Sequence, residues 1–418
     1  MPQDLHKPFF VCAVTFAMLL AAANGPASSA EKVLYTFKGG SDGANPAAGL
    51  ISDDSGNLFG TTQEGGNASC DQRGCGTVFE LAPDGAETIL YVFQGGSDGD
   101  TPAGSLISDK SGNLFGMAAF GGVDGTGCSP YGGCGTVFKI APGGTETVLY
   151  TFQGGSDGYG PSGALSKDKA WNLYGTTALG GSGNCGDLGC GTVFKIAPDG
   201  TKTTLHAFQG GSDGSDPLGG LIMDSAGNLY GTTPAGGSQI SCGSSGCGTV
   251  FRIAPDGTET VLYAFQGGSD GDEPLAGLIM DGAGNLYGTT GYGGDGACYL
   301  RGGCGTVFRL APDGTESTLH VFGGDNDGLI PGAGLIMDKV GNLYGTTESG
   351  GQSACRRYGC GTVFRLAPDG TETILYSFQR NHGTGPTSSL LAGKNGELYG
   401  TTTAGGVYNH GVVFNVKK

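Results

Sequence analysis

The sequence predicts an all-β fold: a seven-bladed β-propeller with four antiparallel strands per blade, its N-terminal strand closing the last blade. Two observations predict it. The first is a set of short motifs that recurs seven times, exemplified by Gly284-Asn-Leu-Tyr-Gly-Thr-Thr290, Gly293-Gly294 and Gly305-Thr-Val-Phe308. Aligning the closing phenylalanine gives Phe79, Phe138, Phe194, Phe251, Phe308, Phe364 and a divergent Phe414, in steps of 59, 56, 57, 57, 56 and 50 residues. A fixed period of this length marks a repeat architecture. The second is strand order: the repeat region opens with the last strand type of a unit and ends with the first three.

The first 30 residues stand apart. Lys7 forms a positive start, Pro8 to Ala23 is apolar, and Pro26-Ala-Ser-Ser-Ala30 is a small-residue cleavage site. This reads as a secretory signal peptide over residues 1–30, with the propeller over 31–418. The apolar run is short for a stable membrane span of ~20 residues. Cys12 lies inside it and would leave with it.

Each repeat reads as four short strands, A to D; no apolar spacing of three and four is visible. In the fifth unit, Gly277 to Asp281 is a continuous apolar run, as for a strand buried on both faces. Asp281 to Asn285 is a turn, Leu286 to Thr290 is strand B, and Thr306 to Leu310 is strand C. Pro312-Asp-Gly314 is a tight turn. Strand D is of the type Thr260 to Phe265, before Gln266-Gly-Gly-Ser-Asp-Gly271. The first strand, Val33 to Phe37, is of type D; the last three are Ser389–Ala392, Leu398–Thr402 and Val412–Val416. An open array would leave unpaired edges at both ends. A ring pairs the first strand with the last and closes a propeller. The 88 glycines fall at fixed offsets between apolar runs and punctuate turns.

Asn-Leu-Tyr-Gly-Thr-Thr, the di-glycine, Gly-Thr-Val-Phe and Pro-Asp-Gly-Thr-Glu-Thr recur in register over essentially all of residues 31–418. In this the chain resembles the GloVer tandem repeat of bacterial choice-of-anchor proteins. The resemblance implies an exported bacterial protein and supplies no activity or catalytic residues. That family carries variable C-terminal anchoring segments. None follows Val416, so no transmembrane anchor is expected after leader cleavage.

Net charge is −17. Such a chain has no electrostatic footprint for nucleic acid or an anionic membrane. Beyond Cys12, the cysteines form six close pairs, one in each B–C loop of the first six blades. They are Cys70/Cys75, Cys128/Cys134, Cys185/Cys190, Cys242/Cys247, Cys298/Cys304 and Cys355/Cys360. In an exported chain they read as six local disulfides that stiffen loops. Zinc would need four ligands, and each pair offers two.

In a propeller the D–A and B–C loops share one face; the short A–B and C–D turns share the other. Any site is expected on the loop-rich face. An enzyme would place an asymmetric ionisable set at the central funnel. The residues entering each strand A line that mouth, from Ala47-Ala-Gly49 round to Thr387-Ser-Ser389, and none is ionisable. No nucleophile elbow, HExxH or phosphate loop is present. His206 and His320 replace a strand-D tyrosine and read as ordinary strand residues.

Asp42, Asp98, Asp157, Asp213, Asp270 and Asp327 occupy one equivalent position in the D–A loops. They are candidate calcium ligands. The favoured reading is that each accepts hydrogen bonds from its own turn, because each loop seldom offers a second carboxylate. Apart from this calcium, no cofactor is expected. Trp171 stands where other blades have glycine and reads as a drifted turn residue.

The B–C loops differ most between blades. Arg73 comes from blade 1, Tyr299 and Arg301 from blade 5, Arg356, Arg357 and Tyr358 from blade 6, and Tyr408 and His410 from blade 7. These blades are contiguous in a closed ring, giving a basic, aromatic sector suited to an extracellular carbohydrate or a protein partner; unselected surface variation competes with that reading. The leading expectation is a secreted or periplasmic, monomeric, non-catalytic binding module. The alternatives are a polymer-degrading hydrolase or lyase with a metal at the loop aspartates, and a structural surface protein.

Overall fold

The computed structural model describes residues 31–418 except 67–69, 71, 123–127, 129–131, 184, 239–241, 295–297, 299–301, 325, 352–354 and 356–357. The predicted signal peptide and Tyr299, Arg301, Arg356 and Arg357 therefore lie outside the described residues.

The β structure forms seven four-stranded antiparallel sheets, each running A-B-C-D through consecutive strands except the last. In that sheet Lys32–Thr36 pairs with Val412–Lys417, which pairs with Glu397–Thr402 and then Leu391–Ala392. Val33 lies opposite Phe414 and Thr36 opposite Val412. The ring is closed by the strand that the sequence assigns to that task.

Strands B and C of the fifth blade, Leu286–Thr290 and Thr306–Leu310, fall where the motifs place them. Strand A does not. It is Ile279–Met280, two residues, and only Leu278 of that apolar run is fully buried. The seventh is likewise Leu391–Ala392 rather than 389–392. The residues before each short ladder have turned toward the axis, where they pack on the next blade instead of pairing. Blades 2 and 3 differ, with nine-residue A strands, Asp100–Ser108 and Tyr159–Lys167.

Packing explains the motifs. A Cβ on Gly288, in strand B, would lie 2.7 Å from the ring of Phe308 in strand C. Glycine is needed there because the phenylalanine of Gly-Thr-Val-Phe covers it, so the two motifs recur together. The first threonine after that glycine reaches across a seam: Thr232 Oγ1 donates to Ala276 O of the next blade at 2.8 Å, and Thr401 to Ala48 O at 3.0 Å. The second meets strand C of its own blade, as Thr233 meets Thr249 at 2.8 Å.

The core lies between blades. One phenylalanine after each D strand meets the strand-C phenylalanine of the next blade edge-on, from Phe37–Phe79 to Phe378–Phe414, with centroids 4.9–5.2 Å apart. All seven seams carry such a pair, and every one of these rings is fully buried. Edge-to-face packing adds to the burial that holds the blades together.

Candidate functional site

The axis is lined as the sequence predicts. Residues entering strand A in every blade border a cavity of ≈ 350 Å³, and none is ionisable. The ring is drawn tight. A Cβ on Gly163 would sit 2.6 Å from the Gly219 backbone, and one on Gly219 would sit 2.7 Å from Ala276. Small residues fill this rim because larger ones would force neighbouring blades apart.

On the loop-rich face, the six cysteine pairs are disulfides with Cα atoms 5.1–5.4 Å apart, within the range for bridging. They lie between strands B and C as the sequence places them, at two different depths. The first cysteine of each pair is half-buried in the loop. The second is a core residue: Cys75, Cys134, Cys190, Cys247, Cys304 and Cys360 are all 0–1% exposed. Cys134 shares a cluster with Val137 and Phe152, and Cys360 one with Val363 and Phe378. The reason is position. Each second cysteine directly precedes Gly-Thr-Val-Phe, so the chain has already re-entered the interior there. These six cysteines present nothing to a ligand; each bridge anchors its loop to the core.

The disulfides of blades 1, 3 and 5 also support the D–A loop that follows their own blade. A Cβ on Gly210 would meet the sulfurs of Cys185 and Cys190 at 2.8 and 3.2 Å, and Gly324 faces Cys298 and Cys304 in the same way. Blade 7 has no cysteines. There the imidazole of His410 takes the same place, with Nε2 2.7 Å from a Cβ built on Gly39. His410 thus has a packing role in addition to its place in the predicted sector.

The other described candidates lie on contiguous blades 6, 7 and 1. Tyr358 and Tyr408 are 44% and 53% exposed, beside Val407 at 77%. Arg73 is exposed and paired with Glu64 at 3.4 Å, a surface pair of little energetic weight.

Each loop aspartate is engaged within its own loop and strand. Asp42 accepts from Lys38 N at 2.7 Å and Tyr35 Oη at 2.5 Å. Asp98 accepts from Gln94 N and Tyr91 Oη, and Asp270 from Gln266 N and Tyr263 Oη, at 2.8–2.9 Å. Asp157 follows the same pattern with Gln153 N and Tyr150 Oη. Asp213 accepts from Gln209 N and lies 3.2 Å from His206 Nε2, and Asp327 accepts from Gly323 N and lies 3.4 Å from His320 Nε2. His206 and His320 therefore stand in for the tyrosine hydroxyl.

The motifs of strands B and C identify the chain by sequence. The Gloeobacter/Verrucomicrobia repeat matches residues 23–188, 127–299 and 240–418. The chain belongs to the Gloeobacter/Verrucomicrobia repeat family. No curated protein matches it in sequence. In structure this repeat protein is similar to a virginiamycin B lyase from Staphylococcus aureus, with TM-score 0.55 and 12% identity, over 93% of this chain and 99% of that one. It is also similar to a gluconolactonase from Xanthomonas campestris, with TM-score 0.40 and 17% identity, over 73% and 82% of the two chains. The first likeness is one of fold; the second is too distant to inform it. The six bridges of this repeat protein belong to an oxidising environment. Among its described residues no helix is long and apolar enough to cross a membrane.

Two features of the repeat escape the sequence reading. The first is a second carboxylate, supplied by the next blade, beside five of the six loop aspartates: Asp42, Asp98, Asp213, Asp270 and Asp327. Burial, with the Asp42 carboxylate beside it, pushes Glu87 up to about 7. Glu146 beside Asp98, and Glu259 beside Asp213, are likewise pushed up to about 7, mainly by burial. Burial and Asp327 also raise Glu372; His320, Asp327 and Glu372 bring ligand atoms within 4.8 Å of one another. One carboxyl oxygen of each of Glu87, Glu146, Glu259 and Glu372 is buried without a hydrogen-bond partner. Two seams differ: Lys202 pairs with Asp157 at 2.8 Å, and the imidazole of His382 lies 3.1 Å from the Glu31 carboxylate. The recurring glutamate of Thr-Glu-Thr was the available signal.

The second is on the opposite face, where the sequence shows only uniform turns. Clefts of ≈ 500 to ≈ 520 Å³ open there between blades 1 and 2, 2 and 3, and 5 and 6. They differ in charge. The first holds Asp53, Asp54, Glu80 and Asp109 against Lys110. The third balances Asp281 and Asp338 with Arg309 and Lys339. The second sets Lys110, Lys139 and Lys167 against Asp109 alone. Trp171 lines it with φ 63°, a conformation that costs an L-residue roughly 1–2 kcal/mol. Far from being only a drifted turn residue, its indole packs on Phe115, centroids 5.3 Å apart.

Proposed function

We propose that this chain is a non-catalytic binding module of the extracellular or periplasmic space, reached through a signal peptide at residues 1–30, that engages a carbohydrate or protein partner with its loop-rich face. One observation carries the reading. Of seven exposed large apolar side chains among the described residues, Leu188, Tyr358, Val407 and Tyr408 belong to B–C loops, and the last three sit on adjacent blades 6 and 7. Water-exposed aromatic and apolar groups provide binding area, and the Cys355–Cys360 bridge stiffens the loop that carries Tyr358. The axial rim supports binding over chemistry: it is glycine, alanine, serine, threonine, leucine and isoleucine. A metal at the loop aspartates would have to share carboxylates that already accept hydrogen bonds within their own loops.

A panel of glycans and cell-wall polysaccharides, with and without calcium, tests the reading. Saturable binding with the polymer recovered at its original length supports it. Shortening of the polymer would replace it with the enzyme reading.

A further inference from the structure

The cleft between blades 2 and 3 carries a combination found in neither of the other two clefts on its face. In all six of the other A–B turns the position of Trp171 is glycine, with φ between 78° and 89°. Blade 3 holds its indole in the same left-handed conformation, so the side chain is retained against a backbone preference. Such an outlier points to a use for the side chain. Phe115 joins it. In blades 3 to 6 the equivalent residue is a tyrosine whose hydroxyl is tied to its turn aspartate, as Tyr174 is to Asp168 at 3.1 Å. Phe115 has no such tie and packs on the indole.

The cations converge on this surface. Lys167 stands where other blades have serine, methionine or alanine. Its ammonium lies 4.3 Å from the Trp171 ring centroid, a cation–π contact that holds the charge over the cleft. Lys110 and Lys139 line the same space. Among the described residues, none of the three lysines has a carboxylate partner within ion-pair distance. The one aspartate in the cleft, Asp109, accepts from Ser111 N, Asn113 N and Asn113 Nδ2 at 2.6–2.9 Å and closes its own turn. One ammonium over the indole, with two more lysines lining the same cleft and Lys139 among them in the field of Asp109, is anomalous on a chain of net charge −17.

We propose that this cleft binds a short acidic glycan, with uronate carboxylates on Lys110, Lys139 and Lys167 and sugar rings against the apolar floor of Trp171, Phe115 and Pro198. The ≈ 520 Å³ volume is of the size that takes a small ligand. The next cleft round the ring is acidic, so a long polyanion such as nucleic acid would be repelled where it left the site. On the blade 1 side the ligand's charge therefore ends at this cleft. This site lies on the turn face and does not depend on the loop-face reading.

Trp171 is the sole tryptophan, so its fluorescence reports the site directly. The whole chain is titrated with trimers of galacturonate, glucuronate and mannuronate, and with neutral galactotriose. A saturable change is expected with at least one uronate trimer and none with galactotriose. Added salt should weaken it. Lys139→Ala/Lys167→Ala, on exposed or half-exposed positions that leave the core intact, should weaken binding at least about tenfold. No saturable response to any uronate trimer would overturn the proposal. So would an equal response to galactotriose, or unchanged affinity in the lysine variant.

Discussion

The ring of Phe37 meets that of Phe79 edge-on, with 5.2 Å between centroids and 68° between planes. Phe37 follows the first strand of the chain, and Phe79 lies in strand C of blade 1. The contact therefore joins the blade built from both chain ends to its neighbour. Phe37→Ala removes a fully buried ring and should cost about 3–5 kcal/mol, read by urea denaturation. Deletion of residues 31–38 should cost more. A truncated protein that melts like the parent would show that closure contributes nothing.

The seam glutamates make stability depend on pH. Glu87, Glu146 and Glu259 are raised to about 7 in the folded chain, against about 4.3 unfolded. A raised folded value means that the folded state holds its proton more tightly, so their contribution is fully present below about pH 4 and is lost as pH rises through 7. At the A–B turns the sign reverses. Against the upward push of burial, hydrogen bonds from Asn342, Tyr344 and Val340 hold Asp338 down at about 2. That stability is present above about pH 4 and lost as pH falls through 2. The melting temperature should therefore peak in mild acid and fall by several degrees from pH 5 to pH 8. A flat profile over that range would contradict paired seam carboxylates.

Lys202 offers a sharper test of the same seams. Its side chain is 4% exposed, and its ammonium contacts the carboxylate and carbonyl of Asp157 and the hydroxyl of Thr204, at 2.6–2.9 Å. Lys202→Ala leaves Asp157 half-buried without its cation and should cost about 2–3 kcal/mol at pH 7. Lys202→Glu restores the residue of the other seams and should make this seam, too, more stable in acid. Equal losses at pH 5 and pH 8 for the glutamate variant would count against the account.

The disulfides should act locally. Closing a loop of five or six residues contributes roughly 2 kcal/mol. Cys185→Ala/Cys190→Ala should lower stability by that amount or somewhat more, since Cys190 is also buried, while the ring survives. Hydrogen exchange should rise in the loop around Gly210, which rests on those sulfurs, and remain slow in strands B and C. Global unfolding of this variant at room temperature would make the bridges part of the fold's foundation.

The closure, the blade count and the six bridges are legible in the sequence because each rests on local, repeated signals. Gly288 and Phe308 recur together because one covers the other. Strand A reads too long because apolar continuity does not distinguish a paired residue from one packed against the axis. Cys134 and Cys360 read as loop residues because spacing reveals the partner of a cysteine but not its depth. The seam pairs are illegible for a related reason: Asp42 and Glu87 are 45 residues apart and meet only across a blade boundary. Trp171 looks idle in its turn until the neighbouring blade places Phe115 against it. His410 looks like a ligand contact because nothing local says that Gly39 lies beneath it.

The central claim is that the loop-rich face binds without chemistry. Its most direct test is the binding isotherm of a polysaccharide or protein captured by the parent, repeated with Tyr358→Ala/Tyr408→Ala and followed by mass analysis of the partner. Both tyrosines are exposed, so the variant should melt like the parent. The account predicts that affinity falls at least about tenfold, as when two aromatic contacts are lost, and that the parent returns its partner chemically unchanged. Undiminished affinity in the variant, or a cleaved partner from the parent, would contradict it.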